Sequence, residues 1–450
     1  MGDCPIKAQG ASFEERLRAY ATLVVRKGCN LQNGQRLFIQ ASVECAPFVR
    51  LLVEEAYRSG AKHVTVAYGD ERVARLHYDN CDLALFETVP EWLALRNNWL
   101  AQEGAAMLSI TSEDPLAMTG IDPAKPMAAA RAAHTACKEY FDALDKGRCV
   151  WCIVAAASPA WAERVFAHLG PQEALASLWD AIFACVRVGE GAGAGAEKGA
   201  GAHDAKDATT GSVSARVATD ALDAWDRHRR AFEEHKAWLN RERFTALRYR
   251  NSLGTDLTVG LNSRGIWQGG GDVTIDGVAF FPNMPTEEVF TTPDFTQADG
   301  VAVASLPLVH NGSLITGFSL RFEGGRVVSS TADQGGEMLE ALIGADEGSC
   351  RLGEVALVPH GSPIARSGIL FYNTLFDENA ACHLALGKGF SDCVQDGQSL
   401  DQEGLKAAGV NESAIHVDFM IGTPDLEIIG IHADGTEVPV FKDGGWAAHT

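Results

Sequence analysis

Ile415-His416-Val417-Asp418-Phe419-Met420 is the stretch from which the rest of the chain can be read. Ile415, Val417 and Phe419 alternate with His416 and Asp418. In an extended strand, successive side chains point to opposite faces, so the three apolar residues share one face and the His and Asp share the other. Two residues along a strand span roughly 6.5 Å, which lets both polar side chains reach one metal ion or one pair of ions. The surrounding sequence, Gly353 to Gly422, has the same character: acids and histidines inside apolar segments. It contains Gly353-Glu354-Val355-Ala356-Leu357-Val358, then Phe371-Tyr372-Asn373-Thr374-Leu375-Phe376-Asp377-Glu378-Asn379, then His383. Glu288, in Pro285-Thr286-Glu287-Glu288-Val289-Phe290, opens a further predicted strand. A single buried His-Asp pair needs no more than a mutual hydrogen bond. Several carboxylates buried together repel one another, and a divalent cation is the usual remedy. Oxygen and imidazole donors without thiolate suit Zn, Mn, Co or Mg better than a structural zinc cage.

The chain has 450 residues, 46% of them hydrophobic, enough for two or three globular domains. No apolar run reaches the ~18 residues needed to span a bilayer, and Met1-Gly2-Asp3-Cys4-Pro5 lacks the basic and apolar pattern of a signal peptide. The formal net charge of −21, from 38 basic and 59 acidic residues, disfavours non-specific nucleic-acid binding. Eleven scattered cysteines read as reduced thiols of a cytoplasmic protein. Cys149-Val150-Trp151-Cys152 fits a C-x-x-C pattern, but it lies in an apolar run expected to be a buried strand, whereas a redox pair normally opens a helix. Cys382 and His383 are sequence neighbours, and neighbours on a helix point ~100° apart, which argues against a nucleophile pair.

Ser12-Phe13-Glu14-Glu15 is a capping box that opens a helix ended by Gly28. Strands are expected at 36–40 and 63–68, with a helix between them that begins at Pro47 and stops at Ser59-Gly60. A helix over 91–102, a strand over 106–110, a helical stretch over 127–144, a strand over 149–155 and a helix over 159–168 follow. This alternation implies an α/β domain with a mostly parallel sheet. No G-x-G-x-x-G follows the first strand and no G-x-x-x-x-G-K-[ST] occurs, so the usual phosphate cradles are missing. Residues 189–211 are Gly/Ala-rich and read as a flexible surface insertion carrying an idle His203. A long charged helix over 214–244 packs through Leu222, Trp225, Phe232 and Leu239. From Ala246 strands dominate, expected at 256–261, 272–281, 300–309, 314–322 and 326–330. Asn311-Gly312, Gly324-Gly325 and Asp434-Gly435 mark hairpin turns. Helices are expected at 336–343 and at 379–386, the second carrying His383. The expected division is an α/β domain over 1–245 and a β-rich α+β domain over 246–450 that holds the site.

The half from Tyr249 to Trp446 resembles the thermophilic aminopeptidases, a metallopeptidase family also called AmpS-like or PepS-like. The resemblance rests on Gly254-Thr255-Asp256-Leu257-Thr258-Val259-Gly260-Leu261, on Asn283-Met284-Pro285-Thr286-Glu287-Glu288-Val289-Phe290-Thr291, on Gly353 to His360, on Phe371 to Gly387 and on His416 to Gly422. Val43-Glu44-Cys45-Ala46-Pro47 and Ala160-Trp161-Ala162 extend it into the first half. It implies a homodimer with enclosed active sites and removal of single N-terminal amino acids from peptides by a two-metal centre. Carried over by position, the metal ligands would be Glu288, Glu354, His383, His416 and Asp418, with Glu378 a further acid at the metals. One departure stands out. The family usually has a Tyr seven residues after the ligand His, where this chain has Phe390, and Phe can neither ligate nor donate a hydrogen bond.

These residue types fit a two-metal hydrolysis in which a water shared by two ions attacks the first peptide carbonyl. A spare carboxylate then carries the proton to the leaving amine. Glu378 is the first candidate for that role and Glu287 the second, although one of the neighbours Glu287 and Glu288 is expected to face solvent. The alternative is a weak or inactive metal-binding relative that acts as a peptide-binding protein, with Phe390 as its mark. A metallo-amidohydrolase is a second alternative.

Overall fold

The computed structural model describes residues 11–122, 124–189, 213–310 and 313–448. The insertion expected at 189–211, apart from Gly189, and the turn Asn311-Gly312 lie outside them. The first half runs α1 (Phe13–Leu23), β1 (Arg36–Ser42), α2 (Ala46–Arg58), β2 (His63–Gly69), α3 (Glu71–Asn80), α4 (Leu83–Phe86), α5 (Glu91–Gln102) and β3 (Ala106–Thr111). It continues with α6 (Ala124–Ala136), α7 (Lys138–Asp145), β4 (Trp151–Ala155), α8 (Pro159–Val165), α9 (Pro171–Cys185) and α10 (Val213–Glu242). Helix α1 starts where the sequence demands. Ser12 Oγ accepts from the Glu15 N–H, and the Glu15 carboxylate accepts from the Ser12 N–H at 2.8 Å. Along α10, Ala221, Trp225, Phe232 and Leu239 are buried, a spacing that keeps them on one face.

The second half runs β5 (Ala246–Arg250), β6 (Asp256–Leu261), β7 (Gln268–Gly269), β8 (Asp272–Val273), β9 (Ala279–Phe280), β10 (Asn283–Met284), β11 (Val289–Thr291) and β12 (Pro293–Val303). Then come β13 (Leu308–His310), β14 (Ser313–Ile315), β15 (Ser319–Glu323), β16 (Arg326–Thr331), α11 (Gly336–Ile343), β17 (Leu352–Leu357), α12 (Pro363–Ser367) and α13 (Thr374–Asp377). The chain closes with β18 (His383–Gly387), α14 (Gln402–Ala407), β19 (His416–Met420), β20 (Glu427–Ile431), β21 (Glu437–Lys442) and β22 (Gly445–Trp446).

The first sheet has the order β10-β4-β3-β1-β2 and is parallel throughout. Its outer strand β10 comes from beyond residue 246, pairing Asn283 with Ile153 and Met284 with Val154. The two halves therefore share a sheet edge. Gly28 lies beneath that edge. A Cβ there would stand 2.9 Å from both Cys152 Sγ and Met284 Sδ, so only glycine lets the chain pass under β4 and β10. The second half folds as a five-stranded antiparallel sheet, β19-β18-β17-β11-β7, beside an eight-stranded one, β16-β15-β12-β6-β5-β20-β21-β22. A core that includes Leu257, Val259, Leu320, Val355, Leu384, Phe419 and Ile428 joins them.

Four expectations are corrected. His383 lies on strand β18, not on a helix; only Glu378–Ala380 forms a short 3-10 turn before it. The single strand expected over 272–281 is the hairpin β8–β9, closed by Thr274, whose hydroxyl accepts from the Val278 N–H at 3.1 Å. The helix expected over 127–144 breaks at Cys137. The strands expected over 300–309 and 314–322 are each two strands in the structure. Helices α3, α4 and α9 are additional to those expected.

Candidate metal centre

Strand register assembles the site. Across the five-stranded sheet Glu354 pairs with Ala385, and Ala385 with Asp418, so the three side chains share one face. His383 stands two residues before Ala385, and His416 two before Asp418, so both join that face. The residues left between them are small: Ala356, Ala385 and Gly387. Their size leaves a hollow on an otherwise close-packed sheet. Glu288 enters it from the residue just before β11, which pairs antiparallel with β17.

The polar atoms converge. His383 Nε2 lies 3.2 Å from a Glu288 oxygen, and His416 Nε2 lies 3.1 Å from Glu354 and 3.3 Å from Asp418. Two groups of three have ligand atoms within 4.8 Å of one another: Glu288, Glu354 and His383, and Glu354, His416 and Asp418. Glu354 belongs to both. Each imidazole is oriented by a carbonyl, which can only accept. His416 Nδ1–H donates to Lys388 O at 2.7 Å and His383 Nδ1–H to Ala381 O at 3.2 Å, which points both Nε2 atoms at the carboxylates. This is how protein matrices hold metal-ligating histidines.

Electrostatics expose the deficit of positive charge. Burial pushes Glu354 up to about 7, with Glu288 and Asp418 adding to the rise and the His416 hydrogen bond opposing it. Burial alone would lower both histidines, yet the hydrogen bond to Glu288 helps raise His383 to about 10, and those to Asp418 and Glu354 help raise His416 to about 11. Asp418 Oδ1 is buried without an aligned hydrogen bond, although His416 Nε2 approaches it. An orphaned carboxylate oxygen, a carboxylate shared by two triads and two oriented Nε2 atoms fit divalent cations, with harder or borderline ions favoured by the all-O/N donor set.

Glu378 belongs to neither triad. It is half-buried at the end of α13, lines the same cavity and is held well above the usual carboxylate range, by burial first and then by Glu288 and Asp418. Its backbone is set by the turn before it, where the Asp377 carboxylate accepts from the N–H groups of Phe371 at 2.8 Å and Asn373 at 2.9 Å. Glu287 does not face solvent, as one of the two neighbours was expected to, nor does it face the cluster. It is 5% exposed, and Arg187 Nη2 lies 2.7 and 2.9 Å from its two oxygens. Of the two acids, only Glu378 lines the cavity. Phe390 does lie at the site. Its ring centroid is 4.8 Å from that of His416 and 5.6 Å from that of Phe290.

All six acids and histidines expected at the site, and Phe390, line one cavity of about 1130 Å³. Its opposite wall comes from the first half: Met107, Ser109, Trp151 and Ile153 of β3 and β4. A smaller cavity of about 440 Å³ beside Arg351 and Lys406 contains none of them. Arg187, His228 and Asn379 carried no sequence signal, since the contacts that bring them to residues 286–287 span 100, 58 and 92 positions of chain.

A profile of the thermophilic metalloprotease (M29) family matches residues 13–196 and 195–446. Aminopeptidase AmpS of Bacillus subtilis (strain 168) is 41% identical over 436 residues, covering 97% of this chain and 99% of its own. Aminopeptidase T of Thermus thermophilus is 39% identical over 435 residues, covering 97% and 99%. Among solved structures, wild-type AmpT from Thermus thermophilus superposes with a TM-score of 0.85 at 38% identity, covering 97% of this chain and 100% of that one.

Proposed function

The chain belongs to the thermophilic metalloprotease (M29) family, and from that premise we propose that it is a metal-dependent aminopeptidase releasing single N-terminal amino acids from peptides at a two-metal centre. The observation that carries this is the pair of triads sharing Glu354. Glu288, Glu354 and His383 would hold one ion, and Glu354, His416 and Asp418 the other, with Zn, Co, Mn and Mg all compatible with the donors. Bound there, two divalent ions would polarise the first peptide carbonyl and acidify an attacking water.

The chain's own residues do the rest. Glu378 takes a proton from the water as its oxygen bonds to the carbonyl carbon, and gives that proton to the departing nitrogen as the C–N bond breaks. The acids that surround the site attract the substrate's free ammonium group, which a blocked terminus lacks. The wall of β3 and β4 closes the cavity on the other side, so the N-terminal residue occupies an enclosed space.

The remaining features extend the same proposal. Residues 1–245 and 246–450 form the two units, with β10 lent across the boundary. Helices α3, α4 and α6 bury no residue, and Leu76, Leu85, Trp92, Leu95 and Met127 of this region are each more than half exposed. Such a face supports a homodimer. None of the ten cysteines among the described residues is joined in a disulfide, and no described helix is long and apolar enough to cross a membrane; the thiols support a reducing compartment, the cytoplasm.

The test is a panel of free and N-acetylated peptides assayed on metal-stripped protein reconstituted with Zn, Co, Mn or Mg. Release of the first residue from free peptides alone, restored by metal, is the expected outcome. No turnover with any metal, despite calorimetric binding of two ions and of peptide, would instead favour the peptide-binding relative that Phe390 suggests.

A further inference from the structure

Behind the cavity, the segment that carries Glu288 and the turn that carries Glu378 are joined by a single side chain. Asn379 is fully buried. Its Oδ1 accepts from the Glu287 backbone N–H at 2.6 Å, and its Nδ2 donates to Leu375 O at 3.1 Å and to Glu378 Oε1 at 3.3 Å. The amide cannot be turned around. The Glu287 N–H can only donate and the Leu375 carbonyl can only accept, which fixes the oxygen toward one and the NH₂ toward the other.

Both ends of this bridge are themselves anchored. On one side, Glu287 is clamped by Arg187 from the segment after α9, and His228 of α10 holds Thr286 O at 2.8 Å. On the other, Asp377 ties down the backbone of residues 371–373, and Ser362 Oγ donates to the Asn379 carbonyl at 3.2 Å. A carboxylate on a three-bond side chain swings freely unless something holds one oxygen. Here one Glu378 oxygen is held, and the residue lines the cavity.

We propose that Asn379 is a positioning residue for the reaction: it holds Glu378 Oε1 so that Oε2 faces the substrate, and it fixes the spacing between Glu378 and the ligand segment 286–288. The proposal rests on Glu378 as the proton carrier. Asn379 itself touches neither substrate nor metal in this assignment. Proton transfer requires the acceptor within hydrogen-bond reach of the water, and small misplacements cost large factors in rate.

The discriminating variant is Asn379→Asp. Asp keeps an acceptor for the Glu287 N–H, loses the donor to Glu378 and sets a like charge beside it. On metal-loaded protein, kcat is expected to fall ~10- to 100-fold while KM for a dipeptide changes less than ~3-fold. Two bound ions per chain and a melting temperature within a few degrees of the parent are expected alongside. In a Glu378→Gln background, the same Asp substitution should change the residual kcat less than ~3-fold, because there is no proton carrier left to misplace. Asn379→Ser, whose hydroxyl can still accept from Glu287 but does not reach Glu378, should show the same split if the Asp variant fails to fold. Unchanged kcat in a folded variant, equal losses in both backgrounds, or failure of both replacements to fold would each overturn the proposal. Full activity of Glu378→Gln alone would instead remove Glu378 from the mechanism, which is a separate outcome.

Discussion

Glu287 and Glu288 are sequence neighbours, both at most 9% exposed, and they point to opposite sides of one short segment. Glu287 meets Arg187, an uncharged His228 and a satisfied set of hydrogen bonds. Glu288 meets His383, and beyond it Glu354, Glu378 and Asp418. The first carboxylate is neutralised by a cation that the chain supplies. The second stands among three more acids with two histidines to share. Burying charge without a partner costs too much to persist, so the second cluster either holds protons on its acids and histidines or takes cations that the chain does not encode. One side of the segment is built to hold the fold together, the other to hold something else.

The largest expected effect separates the two sides. Glu354→Gln removes the ligand common to both triads. Outer-shell partners of a metal site alone are worth ~10- to 100-fold, so loss of this one should lower kcat by more than ~10³-fold and leave fewer than two ions per chain by elemental analysis. The metal-free variant should melt no lower than the metal-free parent, because a like charge has left the cluster. A large loss of stability would erase the contrast. Arg187→Met is the mirror experiment. It strands Glu287 in the interior, and breaking a buried pair in this way costs about 3–5 kcal/mol. Denaturant unfolding should register that loss while metal stoichiometry in the folded protein stays at two. Adding Glu287→Leu should recover part of the stability, and no recovery would show that the pair matters for something other than its charge.

Much of this contrast was legible in the sequence, but not evenly. The alternation of Ile415 to Phe419 gave strand β19 and placed His416 and Asp418 on one face, as the structure has them. The capping box at Ser12, the helix over 91–102 and the helix over 336–343 were equally plain, being local signals. His383 was misplaced on a helix because β17 and β18 are buried on both faces. A strand with no solvent side loses its alternation, and Cys382-His383-Leu384-Ala385-Leu386 then reads like an apolar helix. Strand β10 was invisible for another reason: two residues make no period, and its partner β4 lies about 130 positions earlier in the chain. Arg187 sits just past the end of α9 and His228 in the middle of the charged helix α10, and only the fold brings them to Glu287.

Acid and base should pull the two clusters in opposite directions. In the metal-free protein Glu354 titrates near 7, above its ordinary value. The folded chain therefore keeps a proton that the unfolded chain gives up above about 4.5, and stability is lost as pH rises from there to about 7. The shift of Glu354 alone corresponds to something on the order of 3 kcal/mol. His383 and His416, raised to about 10 and about 11, add stability that is complete below about 6.5 and fades as pH climbs toward those values. Both contributions fall with rising pH. His228, buried and beside Arg187, is held well below the ordinary histidine value. Its contribution has the other sign, because the unfolded state gains a proton below about 6.5 that the folded state refuses, so stability falls on acidification. Melting curves of chelator-treated protein should thus decline from pH 5 to 9. The metal-loaded protein should rise over the same range, since each ion displaces the histidine protons and binds more tightly as they become scarce. Parallel curves for the two forms would mean that the ions bind elsewhere.

The smallest effect concerns Phe390, where the resemblance leads one to expect a Tyr. The ring is packed against His416 and Phe290, and its backbone is pinned by Thr292, whose hydroxyl accepts from the Phe390 N–H at 2.8 Å. A phenol at this position would therefore project from a ring that cannot wander. It would lie next to the His416 imidazole, where on the proposed two-metal assignment the oxyanion of the tetrahedral intermediate would develop. A donor in a well-formed oxyanion hole is worth roughly 2.7–4 kcal/mol, but here the cavity wall is shaped around a bare ring, and no groups have been arranged to hold the hydroxyl in line. A neutral hydrogen bond of about 1 kcal/mol is the better guide, which is roughly a 5- to 10-fold gain. Phe390→Tyr should accordingly raise kcat by that factor and leave KM for a dipeptide nearly unchanged, since the new bond would form only as the negative charge does. A fall in kcat would mean that a water already fills the place and is crowded out. An unchanged kcat would mean that the ring edge points away from the reacting carbonyl, and that His416, rather than the substrate, is what Phe390 is there to support.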